Sequence, residues 1–215
     1  PSARDGDGAL GVSPALVSVG SASNAFAFSF RNGTRGNFNA GSQWTVSVPA
    51  GWSAPQAVDP AGPGYVAVAS TSGTATASIL SVAGAGPWTV TVNFTATKGA
   101  ANGFDLSYAR VIPPAATGTY AFASQTRQSG GTLTYLAASP TVSVAKGSQT
   151  IVFPAIPAQW ATNVVGLDAT ASSGLAIAYA VTAGPGTLSG TNLSFSGAGS
   201  VVVVASQAGD ANWNA

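Results

Sequence analysis

Trp88 to Ala96 reads WTVTVNFTA. Trp88, Val90, Val92 and Phe94 fall on one face of an extended chain and Thr89, Thr91, Asn93 and Thr95 on the other, the two-residue period of a strand with one face in a core and one in water. The same period returns in both directions. Upstream, AFAFSF at Ala25 to Phe30 aligns Phe26, Phe28 and Phe30, and Trp44 to Val48, Tyr65 to Ala69 and Ser78 to Val82 are further short runs between turn residues. Leu10 to Gly20 is interrupted by Pro14, which suggests an edge strand or a bulge. Downstream, Phe104 to Val111 and Thr119 to Ser124 are separated by Pro113 and Pro114, and Leu133 to Leu136 and Thr141 to Val144 follow. About ten strand segments thus precede Lys146 at sandwich-like spacing, and no segment has a helical period. Ala145 to Ser148, AKGS, is a short polar step that reads as a domain boundary. Beyond it, Thr150 to Phe153, Ala176 to Val181, Thr187 to Leu188, Leu193 to Phe195 and Val201 to Ser206 are the strands of a smaller sandwich. The expected architecture is all-β, with consecutive antiparallel sandwiches over Pro1 to Ala145 and Lys146 to Ala215.

Charged residues make up 6% of the chain, against about a quarter in ordinary soluble domains, so hydroxyls and backbone must solvate its surface. The net charge is +1, and Arg4, Arg31, Arg35, Lys98, Arg110, Arg127 and Lys146 are scattered. They form no basic stripe, which disfavours a nucleic-acid partner. Cys, His and Met are absent, which removes thiolate and imidazole metal sites, cysteine nucleophiles and histidine-dependent triads. No cofactor is expected. A lack of oxidisable side chains also suits an extracellular or cell-surface location. Apolar runs such as Val201 to Ala205 are too short to span a bilayer, so no membrane insertion is expected of this chain.

Three stretches after the boundary carry more specific patterns. They are SSGL at Ser172 to Leu175 before a strand, GAGS at Gly197 to Ser200 before the apolar strand, and ASQAGDANWNA at Ala205 to Ala215. With QTIVFPAIP from Gln149, they resemble the bacterial Ig-like repeats strung in tandem along large exported surface proteins. GVSPALVSVGSASNAFAFSF, VPAGWSAP and TGTYAFASQTRQSGGTLTYLAASPTVSV resemble the larger Ser/Thr-rich modules beside such repeats. The resemblance implies Ig-like β-sandwich folds, export and a structural or adhesive role, and it carries no catalytic residues over. In such repeats another strand follows the AGDANW element. The second sandwich is therefore expected to lack its final strand, and its open edge to be completed by a neighbouring repeat domain or subunit.

Gly197 and Gly199 are read as positive-φ positions feeding the strand after them. Trp213, just after a strand, reads as an anchor packed under the sandwich end; if it is core, Trp213→Ala costs roughly 3 kcal/mol or more. Asp5 and Asp7, in PSARDGDG at the start, belong to a flexible lead-in rather than a calcium loop.

An enzyme is not expected. All acidic groups are Asp, and Asp59 and Asp105, the pair that might meet across a cleft, sit in turn-like contexts. The rival to a structural role is a carbohydrate-binding accessory module, in which surface glycans stack on aromatics. Trp44, Trp52, Tyr65, Trp88 and Trp160 are available, and Trp52 and Tyr65 are the candidate contacts, Trp52 because it lies in a loop between Gly51 and Ser53. Asn32-Gly33-Thr34, Asn93-Phe94-Thr95 and Asn192-Leu193-Ser194 match the N-glycan acceptor pattern.

Overall fold

The alternating segments become strands in a computed structural model that describes residues 4–34, 37–70, 76–95 and 102–215. Arg35, Ala96 and Lys98 lie outside the described residues. Every regular element is a strand, no helix occurs among the described residues, and the chain divides by its contacts into Pro1–Ala145 and Lys146–Ala215.

The first unit contains β1 (Ala9–Ser13), β2 (Leu16–Ser18), β3 (Asn24–Arg31), β4 (Ser42–Val48), β5 (Tyr65–Ser70), β6 (Ala77–Gly84), β7 (Trp88–Phe94), β8 (Gly103–Val111), β9 (Gly118–Ala121), β10 (Ser124–Arg127), β11 (Thr134–Tyr135) and β12 (Thr141–Ala145). One antiparallel sheet runs β1-β3-β8-β5 and another β11-β10-β4-β7-β6. A third, β2-β12-β9, joins β2 to β12 in parallel and β12 to β9 antiparallel. Pro14 divides its region more sharply than a bulge would, since the chain leaves one sheet after Ser13 and enters another at Leu16. The segment expected as Thr119 to Ser124 is likewise two strands in two sheets.

The two larger sheets pack face to face as a sandwich through aromatic rings. Phe26, Phe28 and Phe30 of β3 are all buried, as their period requires. Phe30 stacks on Trp44 of β4 with centroids 5.3 Å apart, and Phe94 of β7 meets Phe104 of β8 at 5.0 Å. Such contacts add about 0.5–1.5 kcal/mol each beyond the area they bury. The polar end of Trp44 is also satisfied in the core. Its indole N–H donates to Ser124 Oγ at 2.7 Å, and Ser124 Oγ donates in turn to the Thr45 carbonyl at 2.8 Å.

Of Pro1 to Gly8, expected as a flexible lead-in, the described residues Arg4 to Gly8 are instead folded into this unit. Asp5 is only 5% exposed, with Oδ1 accepting the Gln128 N–H at 2.8 Å and Oδ2 the Thr132 N–H at 2.9 Å. The Gly6 N–H donates to the Thr126 carbonyl, and Thr126 Oγ1 to the Asp7 carbonyl. Gly131 must be a glycine, because a Cβ there would stand 2.3 Å from Asp5 Oδ1. The expectation failed because a polar, Gly-rich segment looks the same whether it is solvated or bonded to a distant turn.

The second unit contains β13 (Ile151–Val152), β14 (Val164–Gly166), β15 (Thr170–Ala171), β16 (Ala178–Ala183), β17 (Gly186–Ser189), β18 (Asn192–Phe195) and β19 (Val202–Ser206). Its sheets are β13-β15, β14-β18-β17 and β16-β19, all antiparallel. β14 and β15 are absent from the sequence expectation, because VVG and TA are too short to show a period. Of the large apolar side chains in this unit, only Leu167 and Leu193 are fully buried.

Removing Asp5 strands two inward-facing backbone N–H groups. Asp5→Ala should lower stability by about 1–3 kcal/mol in urea denaturation. Asp59→Ala, at an exposed turn, should cost less than about 1 kcal/mol. Equal effects for the two would remove the special role given to Asp5.

Candidate interaction site

Trp52, expected as a surface sugar platform, is a core residue. It is 3% exposed and meets Phe26, Tyr120 and Phe122 edge-on at 5.5, 5.7 and 5.2 Å. Its neighbour Ser53 explains the inversion. The Ser53 N–H donates to the Ile112 carbonyl, Ser53 Oγ accepts the Ile112 N–H at 2.9 Å, and the Ser53 carbonyl accepts the Tyr108 hydroxyl. Three bonds, one to Tyr108 of β8 and two to Ile112 just past its end, pull the loop inward and carry Trp52 under the sandwich. Tyr65 is half-buried on β5, paired with Ala109 of β8, and no ring contact joins it to Trp52 among the described residues. The two candidates therefore do not form a common platform.

The acidic pair also separates by role. Asp59 Oδ1 accepts the Ala61 N–H at 2.9 Å within an exposed turn that Gln56 organises, its Oε1 accepting the Val58 and Asp59 N–H groups at 2.8 Å. Asp105 lies within β8 and pairs with Arg31 at 2.8 Å. Of the three glycan acceptor triplets, Asn32 is buried, Asn93 is half-buried beside the buried Phe94, and Asn192 is exposed.

In the second unit, the motif residues converge on a neutral polar hub. Gln149 donates through Nε2 to Gln207 Oε1 and to the Asn214 carbonyl, and its Oε1 accepts from Ser173 Oγ. Gln207 Oε1 also accepts the Gly209 N–H, Ser173 Oγ the Leu175 N–H, and Ser172 Oγ the Thr150 N–H. The AGDANW element is a closed turn: Asp210 Oδ1 accepts the Asn212 and Trp213 N–H groups at 2.7 and 2.8 Å. The turn is tied to the unit's first residues by the Gly147 N–H to the Asn212 carbonyl and the Asn214 N–H to the Gly147 carbonyl, both 2.9 Å. Trp213 is half-buried rather than fully packed under the sandwich end, so its truncation costs less than a core tryptophan would.

Two surface features adjoin this framework. The first is β19, which pairs with β16 along one edge and with no described strand along the other. Val201, Val203 and Ala205 face inward yet remain half-buried, while Val202 and Val204 on the opposite face are 47% and 44% exposed. A run that is apolar on both faces is the pattern of a strand covered on both faces. The ladder that joins β19 to β16 carries a register shift between Val181 and Ala183.

The second feature is a cleft of about 530 Å³ with Leu193, Phe195, Val201 and Val203 on its apolar side, the Gly197 to Ser200 loop as one wall and Ile156 to Ala161 as another. The Gly197–Ser200 loop is held against the Gly184–Pro185 turn. Gly184 has φ +88°, and a Cβ on it would stand 1.9 Å from the Ser200 carbonyl oxygen. Gly199 has a positive φ as expected, whereas Gly197 does not. Trp160, at the lip, is 80% exposed. Sequence reasoning placed it among the available aromatics but had no signal to rank it first, because AQWAT has no strand period that would reveal its outward orientation.

No protein-family model and no curated protein matches this chain.

The Tyr108 hydroxyl gives this region a pH signature. Burial pushes its pKa well above the usual tyrosine value, since the phenolate would lose its water. An acid whose folded pKa is raised stabilises the fold fully below the unfolded value, about 10, and loses that contribution as pH rises beyond it. Alkaline difference spectra should show Tyr108 titrating after the exposed tyrosines. Tyr108→Phe should flatten the fall in stability above about pH 10; an unchanged profile would mean that Tyr108 ionises like a solvated phenol.

Proposed function

We propose that the chain is a non-catalytic structural and adhesive module of a bacterial extracellular surface protein or filament. Its units act as Ig-like beads, and the second is completed by a strand from a neighbouring repeat domain or subunit. The bare edge of β19, flanked by inward valines that stay half-buried, carries this reading. An added strand satisfies the free backbone groups through main-chain hydrogen bonds, and its alternate side chains cover the valines. The distribution of apolar exposure supports it: Ile151, Val152, Trp160, Val164, Val202 and Val204 all lie exposed in this small unit.

The chemistry of the motifs fits a load-bearing role. Gln149, Ser173, Gln207 and Asn214 tie the start of the second unit to its last turn without using an ion pair. Neutral bonds of this kind do not weaken with salt as surface ion pairs do. The rival carbohydrate-binding reading loses its first candidate with the burial of Trp52.

Hydrogen exchange on the 215-residue chain tests the strand edge. Alternate amides of β19 should exchange rapidly in the monomer and become protected in the native assembly, where electron microscopy should show strings or filaments. Full protection of every β19 amide in a monomer would exclude strand addition there. A second test addresses the hub: Gln149→Ala should lower the stability of the second unit by about 1–3 kcal/mol, since Gln207 and Ser173 lose a partner together.

A further inference from the structure

The loop that carries Trp160 is ordered by bonds that do not involve the indole. The Asn163 N–H donates to the Trp160 carbonyl at 2.9 Å, closing a turn over Trp160 to Asn163. Beneath it, Asn163 Nδ2 donates to Gln159 Oε1 at 3.0 Å, and Gln159 Nε2 donates to the Pro157 carbonyl at 3.2 Å. The backbone is thus fixed by its own amides, and the largest side chain of the loop is left in water. An ordered loop that presents a tryptophan at 80% exposure gains nothing for the fold from that side chain. Rigid aromatic groups beside a concave surface are the usual anchors of binding, because little side-chain entropy is lost when they engage.

The rest of the cleft restricts what can engage. Its lining contains no charged side chain. The apolar part is supplied by Leu193, Val201 and Val203, and the polar part by Gln159, Ser200 and the peptide groups of Gly197 to Gly199, where no Cβ covers Gly197 or Gly199. An anion would find no counter-charge, and a cation no carboxylate. A neutral ligand with one apolar face and a hydroxyl rim matches both parts, and a sugar ring has that construction: axial C–H groups on one face, hydroxyls around the edge.

We propose that the Trp160 cleft of the second unit binds a neutral glycan, with one pyranose ring stacked on the Trp160 indole and its hydroxyls bonded to Gln159, Ser200 and the Gly197–Gly199 peptide groups. This site is distinct from Trp52 and Tyr65. The cleft shares Val201 and Val203 with the inward face of β19, so the glycan site is that of the monomer, before a strand is added there, and the titration is made on the monomer.

The test is a titration of the 215-residue chain with neutral oligosaccharides of glucose, mannose, galactose and N-acetylglucosamine, read by the indole N–H signals in two-dimensional NMR. The five tryptophans give five such signals, and Trp160→Ala identifies the one that matters. One class of oligosaccharide should shift the Trp160 signal saturably, with affinity falling about tenfold or more in Trp160→Ala and only a few-fold in Trp160→Phe. Both variants should fold, because the exposed side chain holds nothing together, and unchanged circular dichroism would verify it. No saccharide shift at Trp160, or the same affinity in Trp160→Ala, overturns the proposal. A shift produced only by an uncharged peptide of alternating apolar residues overturns it as well and makes the cleft a peptide groove. Hydrogen exchange on β19 reports separately on strand addition, so failure of one reading is distinguishable from failure of the other.

Discussion

A chain with so few charges must satisfy its buried and half-buried polar groups through the backbone and through neutral side chains. The structure meets much of that constraint with a small number of residues that each serve several partners, although Trp52 Nε1 and Gln128 Oε1 are buried without one. Ser53 joins a loop to β8 through its N–H, hydroxyl and carbonyl; Gln56 caps its own loop; Ser124 relays the Trp44 indole to the Thr45 carbonyl; Gln149 ties together the second unit. Asp5 does the same with a charge, and among the described residues it is the charged one most thoroughly withdrawn from water. Asp5 and Ser124 cost more to lose than a surface ion pair would, because their partners are withdrawn from water, whereas the partners of Gln56 lie in an exposed turn.

The two units meet the constraint from different positions. The first has a deep aromatic layer between its sheets, so its polar staples serve to place loops over a core that is already dry. The second has few side chains removed from water, and its hydrogen-bonded hub does a larger share of the work. That difference explains why β19 matters. In a unit with little apolar burial, valines that remain half-buried beside a free edge mark stabilisation that an added strand would supply.

Strand period was legible in the long apolar-alternating runs, β3, β7 and β8 following directly from AFAFSF, WTVTVNFTA and the run from Phe104 to Val111, but not in β10, where SQTR has no apolar residue to mark its buried face. Shorter elements were not, because β14 and β15 exist through pairing with distant partners rather than through a local pattern. Side-chain environment was legible within strands, Trp88 at the start of β7 being an exception that is only half-buried, and illegible in loops. Trp44 is core by its register, but Trp52 and Trp160 both sit in loops with Pro nearby, and nothing local distinguishes them. Their environments are opposite because Ser53 makes three bonds to Tyr108 and Ile112, while the turn after Trp160 finds its partners within itself.

The contrast between these two tryptophans also shows how a scaffold poor in charge can display a binding surface. With few Lys, Arg or Asp side chains at hand, recognition falls to aromatic faces, amides, hydroxyls and exposed peptide groups. Around Trp160 these groups lie on two loops whose shapes are set from behind, one by the Gln159–Asn163 pair and the other by the close approach of Gly184 to Ser200. Loops held by their own backbone lose little freedom when a ligand arrives. A surface of this kind can bind weakly without depending on ionic strength.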